Sequence, residues 1–178
     1  MEKADRSVKN DQDEGKKLLK DALRLLLKIA VFAIVLIILF GYLFGLMQNT
    51  SPDMQPSFRE GDLVLYSRIE NRFAVDEVVV VRYEDREILG RIVAVAGDEV
   101  NITSDGLTIN GALVQEPNAR GETTGFAEGI SFPMTVPEGM VFVLGDNREH
   151  ATDSRIFGCI ETENVQGRVI GLFRHRGL

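Results

Sequence analysis

Residues 29–47 read Ile-Ala-Val-Phe-Ala-Ile-Val-Leu-Ile-Ile-Leu-Phe-Gly-Tyr-Leu-Phe-Gly-Leu-Met and carry no charged side chain. As an α-helix these 19 residues would span roughly 28 Å at about 1.5 Å per residue, close to the thickness of a bilayer's hydrocarbon core. A helix that is apolar on every face has no side to turn to water, so a core helix of a soluble domain is a poor account of it. A cleavable secretory signal would have a shorter apolar core followed by small residues in an Ala-x-Ala pattern, and Leu46-Met47-Gln48-Asn49 does not supply one. The expectation is a retained single-pass membrane anchor over 29–47.

On the amino-terminal flank stand Lys16, Lys17, Lys20, Arg24 and Lys28, opposed only by Asp21. Because positive flanks stay on the cytoplasmic side, residues 1–28 are expected inside the cell and 48–178 outside. Residues 1–14 are polar and mixed in charge, and are expected to lack regular structure. Leu18, Leu19, Ala22, Leu23 and Leu26 alternate with charged residues at helical spacing, so a helix is expected to begin before the membrane.

The formal charge of −7 divides unevenly, about +2 in residues 1–28 and −9 in residues 48–178, where twelve Arg face 21 acids. An acidic body with no basic tract argues against nucleic-acid binding, which rests on Lys and Arg contacts to phosphate. The single cysteine, Cys159, excludes an internal disulfide and a cysteine zinc site. No metal or cofactor is expected.

After residue 48 short runs rich in Val and Ile are broken by turn residues: 63–66, 77–83, 88–95, 100–102, 107–109, 112–114, 139–144 and 168–173. Each predicts a strand. Asn110-Gly111 predicts a tight hairpin and Asp105-Gly106 another turn. No segment there has a helical period, so residues 48–178 are expected to form a mainly β domain.

Three segments carry chemistry-bearing residues in fixed order. They are Ser51-Pro52-Asp53-Met54-Gln55-Pro56-Ser57, then Leu89-Gly90-Arg91-Ile92-Val93-Ala94-Val95-Ala96-Gly97-Asp98, then Gly145-Asp146-Asn147-Arg148 with Asp153-Ser154-Arg155 beyond it. Together they resemble the ordered motifs of the bacterial type I signal peptidases, over nearly the whole chain from the anchor onward. The resemblance implies a membrane-bound serine endopeptidase scaffold with one transmembrane helix and a β domain outside. In that family a serine attacks the scissile amide and a lysine takes its proton; burial must lower the lysine's pKa for it to act as a base. A serine hydroxyl two residues before the nucleophile supports the oxyanion, and a further serine holds the lysine.

Laid residue by residue on this sequence, Ser51, Met54 and Pro56 match the family pattern, as do Arg91, Asp146, Asn147, Arg148, Asp153, Ser154 and Arg155. Three positions depart from it: the nucleophile position holds Asp53, the base position Gly90 and the lysine-supporting position Ala151. Nor is a substitute base evident. All six lysines, at 3, 9, 16, 17, 20 and 28, precede the anchor. Arg91 cannot give up its proton, and His150 lies in the Gly-Asp-Asn-Arg loop rather than at the base position.

Asp53 admits three readings: a poor carboxylate nucleophile, half of a proton-sharing dyad with Asp146 or Asp153, or a turn carboxylate satisfied by backbone donors. Gly90 implies either a bulge or a close backbone approach, and a groove that is wider there or refilled by Asp53. The expected function is a catalytically inert signal-peptidase-like protein. It is similar to the accessory proteins of Gram-positive pilus assembly that also carry Asp and Gly at these positions. That resemblance implies secreted pilin precursors and the pilin sortase as partners. The alternative is an active signal peptidase with a displaced nucleophile at Ser51, Ser57 or Asp53.

Overall fold

The computed structural model describes the backbone of residues 2–70, 72–126 and 129–174, with side chains from Lys16 onward. The chain divides into two compact units, Met1–Tyr42 and Leu43–Leu178.

The first unit is helical throughout: α1 runs Glu2–Leu43. Its stretch Lys16–Leu43 is long and apolar enough to cross a membrane, and none of that span's most apolar window is buried by protein. The polar residues expected to lack regular structure are helical in backbone from Glu2 onward. The side chains of 1–15, half of the expected basic segment 1–28, lie outside the described residues.

The apolar run does not stay helical to Met47 as expected. Helix α1 ends at Leu43, and Phe44–Gln48 form strand β1. The cause lies in side-chain spacing. Gly45 and Met47 are buried while Leu46 and Gln48 are exposed, a period of two that suits a half-buried strand. Gly45 is required because the Tyr66 ring occupies the space where a Cβ would stand. Antiparallel pairing with β2 (Leu63–Ser67) then sets Gly45 against Tyr66 and Met47 against Val64.

The remaining strands are β3 (Val78–Tyr83), β4 (Arg86–Val95), β5 (Glu99–Thr103), β6 (Gly106–Ile109), β7 (Ala112–Leu113), β8 (Met134–Thr135), β9 (Met140–Leu144), β10 (Ile160–Glu161) and β11 (Val165–Phe173). A single helical turn, α2 (Ser154–Phe157), precedes β10. All pairings are antiparallel. One sheet has the order β1-β2-β11-β3-β4-β9-β10 and the other β7-β6-β5-β8. This is a mainly β domain, as expected, and all eight predicted strands are present within a few residues; β1, β8 and β10 are additions. The Asn110-Gly111 turn joins β6 to β7, with both residues at positive φ (53° and 79°). That requirement explains the residue pair.

Two packed clusters position the site. Met47, Met54, Phe58, Val64, Tyr66, Val80 and Leu89 form one. Val79, Val81, Ile92, Val141, Val143, Ile160 and Val165 form the other. A third, around Val100, Leu107, Phe142 and Leu144, holds the small sheet against the large one.

Gly45→Ala is expected to destabilise the β domain by about 1–3 kcal/mol, the usual cost of overpacking, because Tyr66 must move. Gly125→Ala, with nothing within 4 Å of the added Cβ, serves as the neutral comparison, and chemical denaturation of both variants in detergent checks the difference.

Candidate functional site

Ser51 opens a 3-10 turn, Pro52–Met54, accepting a hydrogen bond from the Asp53 N–H at 3.2 Å. Proline early in such a turn costs no backbone donor. Met54 then drops into the core, 1% exposed and packed with Leu89 and Phe58. Pro56 follows on the surface, joined by a cis peptide bond to Gln55.

The Gly145–Arg148 loop closes over this turn. The Asn147 N–H donates to the Asp53 carbonyl at 2.8 Å, and the Asn147 amide reaches the Pro52 carbonyl at 3.3 Å. The Asp146 N–H meets the Met54 sulfur at 3.4 Å. A Cβ at Gly145 would stand 2.6 Å from the Asp53 carbonyl oxygen and would collide with Ala151. Glycine at 145 and a small residue at 151 are what this closure demands.

Behind the loop lie three arginine–carboxylate pairs. The Arg91 Nε and Nη2 each donate at 2.8 Å to the two oxygens of the fully buried Asp146, and the Ser57 hydroxyl donates to the same carboxylate at 2.5 Å. Arg155 holds Asp153 through two bonds of 2.9 Å, with both residues buried. The remaining capacity of Asp153 accepts the N–H groups of Gly145 and Arg155. Arg155 also donates to the Thr124 carbonyl and lies over the Phe126 ring. Arg148, 2% exposed, spans the Gly145 carbonyl and Glu116. Burial pushes its guanidinium below its ordinary pKa, the Glu116 charge opposing the shift. Ser154 accepts the Val143 N–H at 3.1 Å. Removing one partner from a buried pair of this kind costs about 3–5 kcal/mol, because a charge is left unpaired.

These contacts bring together nearly every residue expected at the site. Gly90 is the exception. It is buried, but it does not line the cavity beside Asp53. A Cβ there would stand 3.1 Å from the Val143 Cβ. Of the two expectations, close approach is correct: the bulge in β4 falls between Ile92 and Ala94 instead. The groove is not widened at Gly90, since Val143 closes that space. His150 is exposed on the loop and outside the cavity lining.

The cavity, of about 380 Å³, is lined by Ser51, Asp53, Met54, Thr152 and the first half of β4, with Tyr83 and Asn49 at its margins. The Asp53 carboxylate is half-buried beside Ser51 and Thr152, whose polar groups act to lower its pKa. Desolvation nevertheless holds its pKa above the ordinary 3.8, with the charge of Asp153 adding to the shift. Of the three readings of Asp53, the proton-sharing dyads lack geometric support, because Asp146 and Asp153 are both engaged by arginines. Thr152, Arg86 and Glu87 line the cavity although the sequence did not single them out. Thr152 sits between two motif residues, while Arg86 and Glu87 are recognisable only from the course of β4.

A β domain with this cleft, following a helix able to cross a membrane, defines a membrane-anchored protein whose first and last motif segments meet at the Asp53 turn. The profile of the family described as "Signal peptidase, peptidase S26" matches residues 22–173, and the chain belongs to that family. It is 32% identical over 155 residues to signal peptidase I of Bacillus licheniformis, covering 79% of this chain and 82% of that one. It is 37% identical over 124 residues to a probable signal peptidase I of Mycobacterium leprae, covering 64% of this chain but only 41% of that longer protein. Among solved structures it is similar to a signal peptidase I from Enterococcus faecalis V583, with TM-score 0.46 and 28% identity, covering 56% of this chain and 97% of that one.

A carboxyl with a raised pKa disfavours the folded state once it ionises. Its contribution is most favourable below 3.8, where both states are protonated, and is lost as pH rises through the folded value. Asp53→Asn is therefore expected to melt higher than the parent at pH 7. The gap should close as pH falls toward 3.8, and thermal melts across that range check it.

Proposed function

We propose that this chain is a non-catalytic signal-peptidase-like protein, with residues 48–178 outside the cell, whose cleft holds an extended segment of a secreted protein without cutting it. One observation carries this reading: a half-buried carboxylate, Asp53, lines the cavity at the nucleophile position. An ionised oxygen beside a developing oxyanion raises the barrier to amide attack. No lysine stands ready to compensate. Residues 29–178 contain no lysine, Arg91 is tied to Asp146 and Asp76, and Gly90 faces Val143.

The binding mode follows from the sheet. Pairing of β4 with β9 ends at Arg91 and Leu144, so residues 86–90 extend past it beside the cavity. An extended segment can add there by backbone hydrogen bonds. The resemblance to pilus-assembly accessory proteins makes secreted pilin precursors and their sortase the proposed partners. The basic flank supports a cytoplasmic amino terminus.

A second reading has one observation in its favour. Ser51 and Asp53 line the same cavity, with the Ser51 Oγ 3.2 Å from the Asp53 backbone nitrogen, which would suit an active peptidase with a displaced serine nucleophile and a carboxylate base.

Purified full-length protein in detergent is expected to leave a precursor with a small-residue signal-peptide site uncut. Cleavage above a protein-free control that disappears in Ser51→Ala, Ser57→Ala, Asp53→Ala or His150→Ala would establish the second reading instead.

Filling the cleft tests its use in cells. Thr152 is exposed and on the cavity wall, so Thr152→Trp blocks the cleft without entering the core. Surface pilus polymer is expected to fall to background while circular dichroism stays unchanged; full polymer levels from the folded variant would make the cleft vestigial.

A further inference from the structure

Three aspartates of the motif segments lie around this cleft, and they are treated differently. Asp146 is neutralised by Arg91 and Asp153 by Arg155. Asp53 has no arginine within ion-pair distance among the described residues. The nearby Arg86 guanidinium stands instead at 3.8 Å from Glu84. The cavity lining adds a second carboxylate, Glu87, so that Asp53 and Glu87 outweigh Arg86 by one negative charge. Alongside these charges are Tyr83, Ile88, Leu89 and Met54. A wall of that composition matches a side chain with an apolar stem and a cationic head.

Resting on the reading that the cleft holds a secreted segment, we infer that the segment presents a lysine side chain whose ammonium pairs with Asp53. The Asp53 carboxylate is half-buried in the cavity wall, so its position is restricted before the ligand arrives. Preorganisation of this kind lowers the cost of binding. Half-burial also leaves only part of the carboxylate open to a ligand. A guanidinium needs both carboxylate oxygens free for its two-pronged grip, whereas an ammonium needs only one acceptor. The raised pKa of Asp53 is consistent with a carboxylate that awaits a counter-charge. The inference concerns a specificity that the family motifs do not supply, because the carboxylate stands at a position where this chain departs from them.

The test uses full-length protein in detergent micelles and three pools of heptapeptides, acetylated at the amino terminus and amidated at the carboxy terminus. Each pool has Ala, Val, Ser and Thr at the outer positions, with lysine, Nε-acetyl-lysine or arginine at the centre. Binding is followed by isothermal titration up to millimolar peptide. The lysine pool is expected to bind about tenfold tighter than the acetyl-lysine pool, in keeping with a charge-assisted hydrogen bond. That preference should vanish in Asp53→Asn, whose affinity for the acetyl-lysine pool should equal that of the parent. Equal binding of the lysine and acetyl-lysine pools by the parent, or a preference that survives in Asp53→Asn, overturns the inference. So does an arginine pool that binds as tightly as lysine. If the pools bind equally and Thr152→Trp abolishes all binding, the cleft still holds a segment and only the ammonium assignment falls. If no pool binds the parent, both fall together.

Discussion

The site depends on one close approach of backbone to backbone. Gly145 lies so near the Asp53 carbonyl that a Cβ could stand only 2.6 Å from its oxygen. That proximity lets Asn147 donate to the carbonyls of Asp53 and Pro52, and Asp146 to the Met54 sulfur. Without it the turn carrying Ser51 and Asp53 would have no roof. Asp153 fixes the loop from behind by accepting the Gly145 N–H while Arg155 holds its carboxylate on the other side. The first and last motif segments, about 90 residues apart in the chain, are thus joined through backbone groups whose geometry does not require a serine at 53 or a lysine at 90.

That independence explains how a family scaffold can persist while the residues it displays change. The ion pairs that brace the loop are largely buried, and each is costly to break, although the buried Arg148 Nε has no hydrogen-bond partner among the described residues. None of them uses Asp53, Gly90 or Ala151. Ala151 is compatible with the closure because the space beside Gly145 is small, and Gly90 is compatible because Val143 fills the space beside it. The cleft therefore remains a formed concavity with Asp53 on its wall.

Much of this was legible in the sequence. The Val- and Ile-rich runs marked the strands because β-branched residues suit extended backbone, and the motif order marked the residues that meet. Strand β1 was hidden because Phe44-Gly45-Leu46-Met47 is as apolar as the helix before it, and apolar content does not distinguish a strand from a helix. Only the ring of Tyr66 over Gly45 separates them. Strands β8 and β10, of two residues each, are too short to carry a period. At the site, spacing revealed which residues were present but not where a missing side chain would have pointed. The packing of Gly90 against Val143 comes from the register of β4 on β9. The exposure of Thr152 likewise depends on how the loop turns between Ala151 and Asp153.

The lack of lysine in residues 29–178 has a covalent consequence. The positive charges of this β domain are all guanidinium groups, and those of Arg91, Arg148, Arg155, Arg168 and Arg174 are held by carboxylates. It therefore offers no ε-amine to acylating reagents, to sugars, or to enzymes that build isopeptide links. Where such chemistry joins neighbouring proteins, residues 29–178 cannot supply the side-chain amine of the link.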